Sequence, residues 1–299
     1  MRVVNLKPTP IEGAKPLTAE EVEEHVTSYN QTPADVYDPV KAACVANDVP
    51  AFNKAFNRFL AGNYKIQELS YAMQAAIRHD NVEIISTLML HGIGRYASYA
   101  ITAVKQRAKR VLLEFLKDNW NINESLIEGE PPVLGYAVAD EDMVIWLLAH
   151  GADPNQQSLI DYTPLSVAVQ NAAVSTVKLL LDHPGTDIHK GQLLHHAVFR
   201  DSDEIPVLDM LLDRGLAINK KLFEDHLISF YQYFWMGCGT PLHDTANLGK
   251  LHVVQYLLDR GADPTIRYAK DRKPLDWAVK YERPDVVPVL KAAMEKNGS

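Results

Sequence analysis

A unit of about 33 residues recurs along this chain, and its clearest copy opens at Thr240-Pro241-Leu242-His243. The copy continues through Val253-Val254-Gln255-Tyr256-Leu257-Leu258 to Gly261-Ala262-Asp263-Pro264. A threonine ahead of a proline caps and opens a short helix. The Val-Val-x-Tyr-Leu-Leu run has the 3,4 spacing of a helix with one buried stripe, and Gly261 supplies the left-handed residue that ends it. Such a unit cannot cover its own apolar face, so neighbouring copies must stack, and a repeat array is the fold class this recurrence permits.

Lys273-Pro274-Leu275-Asp276 begins the next copy 33 residues on. Upstream copies begin at Gln192, Thr163 and Pro132, and fainter ones at Ser98, Ser70 and Asp38, each recognised by a small pair such as Ala103-Val104, Ala75-Ala76 or Ala43-Cys44. The Thr-Pro-Leu-His opening and the period resemble the ankyrin repeat. The resemblance covers about residues 38–299 and implies an all-α solenoid of about eight helix-turn-helix units with short β-hairpin fingers. Ser166 in place of the signature His, and Gln192 and Lys273 in place of Thr, depart from the pattern and bear on finger geometry.

Residues 1–37 lie outside the repeat. Pro8, Pro10 and Pro16 predict an extended start, and Thr18 with Glu21 forms a capping box for a helix from about Ala19 to Ser28, placed to cover the open end of the array. In the first unit Phe52, Phe56, Phe59 and Leu60 keep the spacing of a core stripe, with Pro50 tolerated in the opening turn. Lys105, Arg107, Lys109 and Arg110 of the third unit read as a solvated face. In the last unit Pro284 and Pro288 start the outer helix near Asp285.

A net charge of −8 offers no field for a nucleic-acid backbone, so no nucleic-acid partner is expected. No apolar run reaches the ~20 residues of a membrane span, and the N-terminus lacks the apolar core of a signal peptide. The chain is therefore expected in the cytoplasm or nucleus, not secreted and not membrane-bound, with Cys44 and Cys238 reduced and Asn30 and Asn123 unglycosylated. No Cys-x-x-Cys, His-x-x-x-His or His-Glu-x-x-His occurs, so no metal and no cofactor are expected.

One step of the array is anomalous: Gln192 to Thr240 spans 48 residues. The excess falls at about 222–239, in a finger. There Leu227, Phe230, Tyr231, Phe234 and Trp235 stand at i, i+3, i+4, i+7 and i+8, one apolar stripe of an extra helix that Gly237 can end. Five large side chains contribute roughly 7–15 kcal/mol when buried, whereas ordering such a segment costs about 18 kcal/mol, so it must lean on the solenoid or on something the solenoid binds.

The resemblance also implies which side chains face the concave groove: Tyr136, Val167, His196, Asp244 and Trp277, followed by Phe199, Arg200, Asn247, Leu248, Lys280 and Tyr281. It assigns His195 and His243 to turn hydrogen bonds within the repeat. With Tyr231, Phe234 and Trp235 of the insert, Tyr136, His196, Phe199, Arg200, Asp244, Trp277 and Tyr281 make an aromatic binding surface of hot-spot composition. The function implied is a non-catalytic scaffold or adaptor for a protein or peptide partner. The alternative is a small-molecule binder or unusual enzyme, its apolar pocket closed by the insert, with His196 or His226 as acid or base, Asp244 as orienting carboxylate and Tyr136 or Tyr231 as acid. An exposed Cys238 thiol paired with His243 is a further, weaker expectation.

Overall fold

The computed structural model describes residues 32–94, 97–125, 129–268 and 271–297. The expected extended start and capping helix over 1–31 lie outside them. The chain divides into two compact units that part between Asn121 and Ile122.

The first unit holds three helix pairs: Ala34–Val45 with Val49–Ala61, Ser70–Arg78 with Val82–Leu90, and Ala97–Lys105 with Lys109–Lys117. Asp48 and Asn81 cap two outer helices by accepting the N–H of Ala51 at 2.9 Å and of Ile84 at 3.1 Å. Pro50 sits in the first turn, where it removes no needed donor. Phe52, Phe56 and Phe59 are buried and stack, with centroids 5.1 and 6.2 Å apart. Leu60, expected in that stripe, is exposed, because the helix turns it past the edge of the buried face.

The second unit holds five pairs. The 3₁₀ turn Val133–Tyr136 pairs with Glu141–Ala149, Pro164–Asn171 with Val174–Leu181, and Leu193–Val198 with Glu204–Leu212. Pro241–Leu248 pairs with Leu251–Asp259 and Pro274–Lys280 with Val286–Asn297. Inner helices contact inner helices and outer contact outer, so apolar stripes such as Val253, Val254 and Leu257 are fully buried between neighbours. Across the two units the described residues carry the eight pairs and the all-α architecture.

The fingers differ from expectation. Among the described residues they hold turns rather than paired strands, with one antiparallel bridge between Tyr268 and Arg272. Side chains do the work a strand ladder would do. Asn123 donates to Gly151 O at 2.9 Å and accepts Asp153 N–H at 2.8 Å. Asn155 repeats the motif on Gly185 O and Asp187 N–H, and Asn219 accepts Asp263 N–H at 2.9 Å. The Asn-to-Asp separations are 30, 32 and 44 residues. The ladder thus resumes its geometry beyond the extra residues, which are extruded from the stack. Outer helices of the sixth and seventh repeats are joined across the same step by Lys250–Glu204 at 2.7 Å and by Arg260 to Asp209 and Asp213 at 2.7 and 2.6 Å.

Candidate functional site

The extruded segment is closed at its neck by Leu222 N–H donating to Gly239 O at 2.9 Å. Within it lie the helix Leu227–Tyr233 and the 3₁₀ turn Phe234–Met236, ended at Gly237 with φ +90°. A Cβ at Gly237 would stand 2.6 Å from Tyr268 and 2.8 Å from Trp277, so this position needs glycine for both its φ and its close approach. His226 caps the helix, its Nδ1 accepting Ser229 N–H at 3.3 Å and facing Ser229 Oγ at 2.8 Å.

A buried polar hub anchors the segment. Ser229 is fully buried, and its Oγ accepts Asp161 N–H at 2.8 Å. The Asp161 carboxylate accepts Gln157 Nε2 at 2.6 Å, Gly191 N–H at 2.7 Å and Gln192 Nε2. Gln192 Oε1 in turn accepts Phe223 N–H at 3.0 Å. Phe223 is buried and its ring lies 5.5 Å from Tyr233. Two preceding fingers therefore hold one face of the inserted helix through satisfied hydrogen bonds, which in a low-dielectric setting are costly to break.

The opposite face is bare. Leu227, Ile228, Tyr231, Phe234 and Trp235 are between 50 and 70% exposed, while Phe230 is half-buried. The apolar stripe does not fold down over Tyr136, Phe199 and Trp277, because the helix docks through Ser229 rather than through its large side chains. Leu159, on the finger that supplies Asp161, is exposed as well.

The groove positions divide. Tyr136 and Phe199 are half-buried, and burial raises the Tyr136 pKa. Tyr281 is exposed, its ring 5.6 Å from Trp277 and carrying Lys280 Nζ 4.8 Å above its centroid. Trp277, expected to line an open groove, is buried in an aromatic cluster with Tyr268 at 5.3 Å and His243 at 6.5 Å. Arg200, expected to offer its charge to a ligand, is buried and fully engaged. It donates to Val169 O at 2.7 Å, Ala172 O at 2.8 Å and Ser202 O at 3.0 Å, clipping the end of the preceding inner helix.

The expected proton-transfer residues do not converge. His196 Nδ1 faces Gln170 Oε1 at 2.8 Å and its ring lies 5.2 Å from Tyr162. Burial pushes its pKa down to about 3, which leaves a neutral ring that is a poor base. Asp244 pairs instead with His195, Oδ2 to Nδ1 at 2.7 Å, while His195 Nε2 faces Lys220 O at 3.3 Å. His226 is spent on its helix cap. Cys238 is buried rather than exposed, with burial raising its thiol pKa to about 11, and Cys44 is likewise buried and raised to about 12. An open cleft of about 340 Å³ borders His195, with Leu193, Leu194 and Leu216 on its floor and the Lys220–Asp225 ion pair, 2.6 Å long, at its rim.

Among the described residues no three His, Cys, Asp or Glu side chains gather into a metal site, and no helix is long and apolar enough to cross a membrane. Sequence reasoning passed over Asp161, Gln192 and Ser229 as a hub. Gln192 at a threonine position was its visible trace.

A family model for ankyrin repeats in three copies matches residues 42–191 and 134–222, and a single-repeat model matches 239–269. The inserted residues 223–238 fall between the matched ranges. The chain is 31% identical over 134 residues to ankyrin repeat protein nuc-2 of Neurospora crassa and 33% identical over 133 residues to the mitochondrial disaggregase of Bos taurus. Each alignment covers 44% of this chain but only 11% and 18%, respectively, of those proteins.

Proposed function

The chain belongs to the ankyrin-repeat family, and from that premise we propose that it is a non-catalytic adaptor whose inserted helix is the anchor for a protein partner. Ankyrin repeats are generally protein-interaction modules. The observation that carries the finer reading is the bare face of Leu227, Ile228, Tyr231, Phe234 and Trp235 on a segment that the family pattern lacks. Soluble monomers rarely leave a contiguous apolar patch of more than a few hundred Å² uncovered. Tyr and Trp are frequent anchors of interfaces, and the Asp161–Ser229 dock holds them in place before binding, which limits the ordering cost. Tyr136, Phe199 and Tyr281, which the family resemblance assigns to the groove, would extend the contact.

The alternative, catalysis or small-ligand binding under a closed lid, has less support. His196, His226 and Asp244 are each engaged in internal hydrogen bonds and do not share a pocket. Two buried, unpaired cysteines agree with a reducing compartment, cytosol or nucleus.

The test is a photo-crosslinking amino acid at position 231, in the intact chain and in one with Trp235→Ser. A protein cross-linked to the intact chain, and at least tenfold less to the variant, is the expected result. Equal yields from both, or no protein adduct, would overturn the proposal.

A further inference from the structure

Between Leu227 and Trp235 the chain carries no acidic or basic side chain: Leu-Ile-Ser-Phe-Tyr-Gln-Tyr-Phe-Trp. An occupant recruited by charge therefore has nothing to hold on this face. The face is also graded along its length, aliphatic at Leu227 and Ile228 and aromatic at Phe234 and Trp235, with Tyr231 midway. We infer that it is the contact between two copies of this chain, which pair their inserted helices antiparallel about a two-fold axis near Tyr231. The inference rests on reading the insert as a protein-binding surface and names its occupant.

Three physical points select a second copy. A two-fold contact is isologous, so each end of the helix meets the opposite end of its partner. The aliphatic end of one copy then meets the aromatic end of the other, and the gradation becomes self-complementary. The second point is area. At 150–250 Å² for a fully buried aromatic side chain, the exposed fractions amount to about 500–600 Å² per copy, or about 1,000–1,200 Å² for the pair, which reaches the lower bound of specific interfaces.

The third point is electrostatic. The nearest acids, Glu224 and Asp225, precede the helix and are exposed. Both lie in the turn before Leu227, itself four residues from the axis at Tyr231, and Asp225 is paired with Lys220, so neither sets an unpaired charge at the centre of the contact. Antiparallel pairing also sets each helix N-terminus beside its partner's C-terminus, which is the favourable dipole arrangement. A net charge of −8 on each copy opposes association in general, so added salt should leave the pair unchanged or tighten it.

The experiment is sedimentation velocity of the full chain from 1 to 100 µM, alongside Tyr231→Ser and Trp235→Ser. Both side chains are exposed, so thermal unfolding should confirm that each variant keeps its fold. The expected result is a dimer whose dissociation constant rises at least tenfold in either variant and does not rise between 50 and 500 mM salt. A chain that stays monomeric at 100 µM overturns the inference, as does a dimer indifferent to both substitutions. If the chain is monomeric yet still cross-links a different protein through position 231, the protein-binding reading stands and only its occupant is wrong. Failure of both experiments removes both readings.

Discussion

His195 and His243 occupy the same place in adjacent repeats, yet their rings are wired differently. In the seventh repeat Thr240 N–H donates to His243 Nδ1 at 3.0 Å, and Thr240 Oγ1 lies 2.9 Å from the same atom. Nδ1 is therefore an acceptor, Nε2 carries the hydrogen, and that hydrogen goes to Arg272 O at 3.2 Å. In the sixth repeat Gln192 replaces threonine with a left-handed backbone, φ +53°, and no capping box forms. His195 keeps the finger bond, to Lys220 O, but its Nδ1 now meets the Asp244 carboxylate of the next repeat. The freed Gln192 side chain reaches Asp161 and Phe223 instead. One repeat closes on itself, and the other spends its polar groups on neighbours, including the insert. The fifth repeat is a third solution, with Ser166 Oγ donating to Gly191 O at 2.6 Å in place of the imidazole.

If the sixth repeat depends on long-range ties, cutting them should cost more than cutting local ones. The largest effect is expected from Arg200→Ala, which strands three carbonyls in a buried setting. A loss of about 3–5 kcal/mol in urea unfolding is expected, and a loss under 1 kcal/mol would show that the clip is ornamental. Asp161→Ala leaves the donors of Gly191, Gln157 and Gln192 unpaired and should cost about 2–4 kcal/mol. Hydrogen exchange should then speed up over 222–239 before the rest of the unit, whereas uniform acceleration would deny the hub its role as the insert's dock.

Gln192→Thr restores the family residue and so pits consensus against context. A β-branched side chain in the left-handed region, with the ties to Asp161 and Phe223 lost, predicts destabilisation by about 1–3 kcal/mol. A gain in melting temperature would mean the sixth repeat is merely a damaged copy of the seventh.

The smallest expected effect is on acidification. His196 titrates near 6.5 when unfolded and near 3 when folded, so between these values the unfolded chain binds more protons and stability falls as pH falls. From pH 7.5 to 5.5 this one ring accounts for about 1 kcal/mol, and His243, also lowered by burial, acts in the same direction. His196→Gln should flatten that part of the stability profile. An unchanged slope would show that the ring is hydrated and the junction looser than described.

Much of the array could be read in advance from particular residues. Thr163 and Thr240 are local signals, each satisfied within three residues along the chain. The excess spacing between Gln192 and Thr240, with its aromatic stripe and terminal Gly237, marked the inserted helix for the same reason. The site was less legible. Groove positions inferred for Arg200, Trp277, His196 and Asp244 carry buried side chains, because a short inner helix packed on both neighbours leaves little of its circumference open. Periodicity shows that a helix has an apolar stripe but not which face meets protein. Here the small polar Ser229, not the aromatic stripe, faces inward.

The amino-acid sequence alone determined the repeat and its all-α fold class, since both follow from contacts spanning a few residues or from a regular period. Tertiary structure decided which face of the inserted helix is bare, that Asp244 belongs to His195, and that Asp161 ties three segments together. Those outcomes depend on polar groups 30 to 70 residues apart finding one another in a buried space. Each such bond is strong only where water is excluded, and exclusion is a property of the assembled stack rather than of any stretch within it.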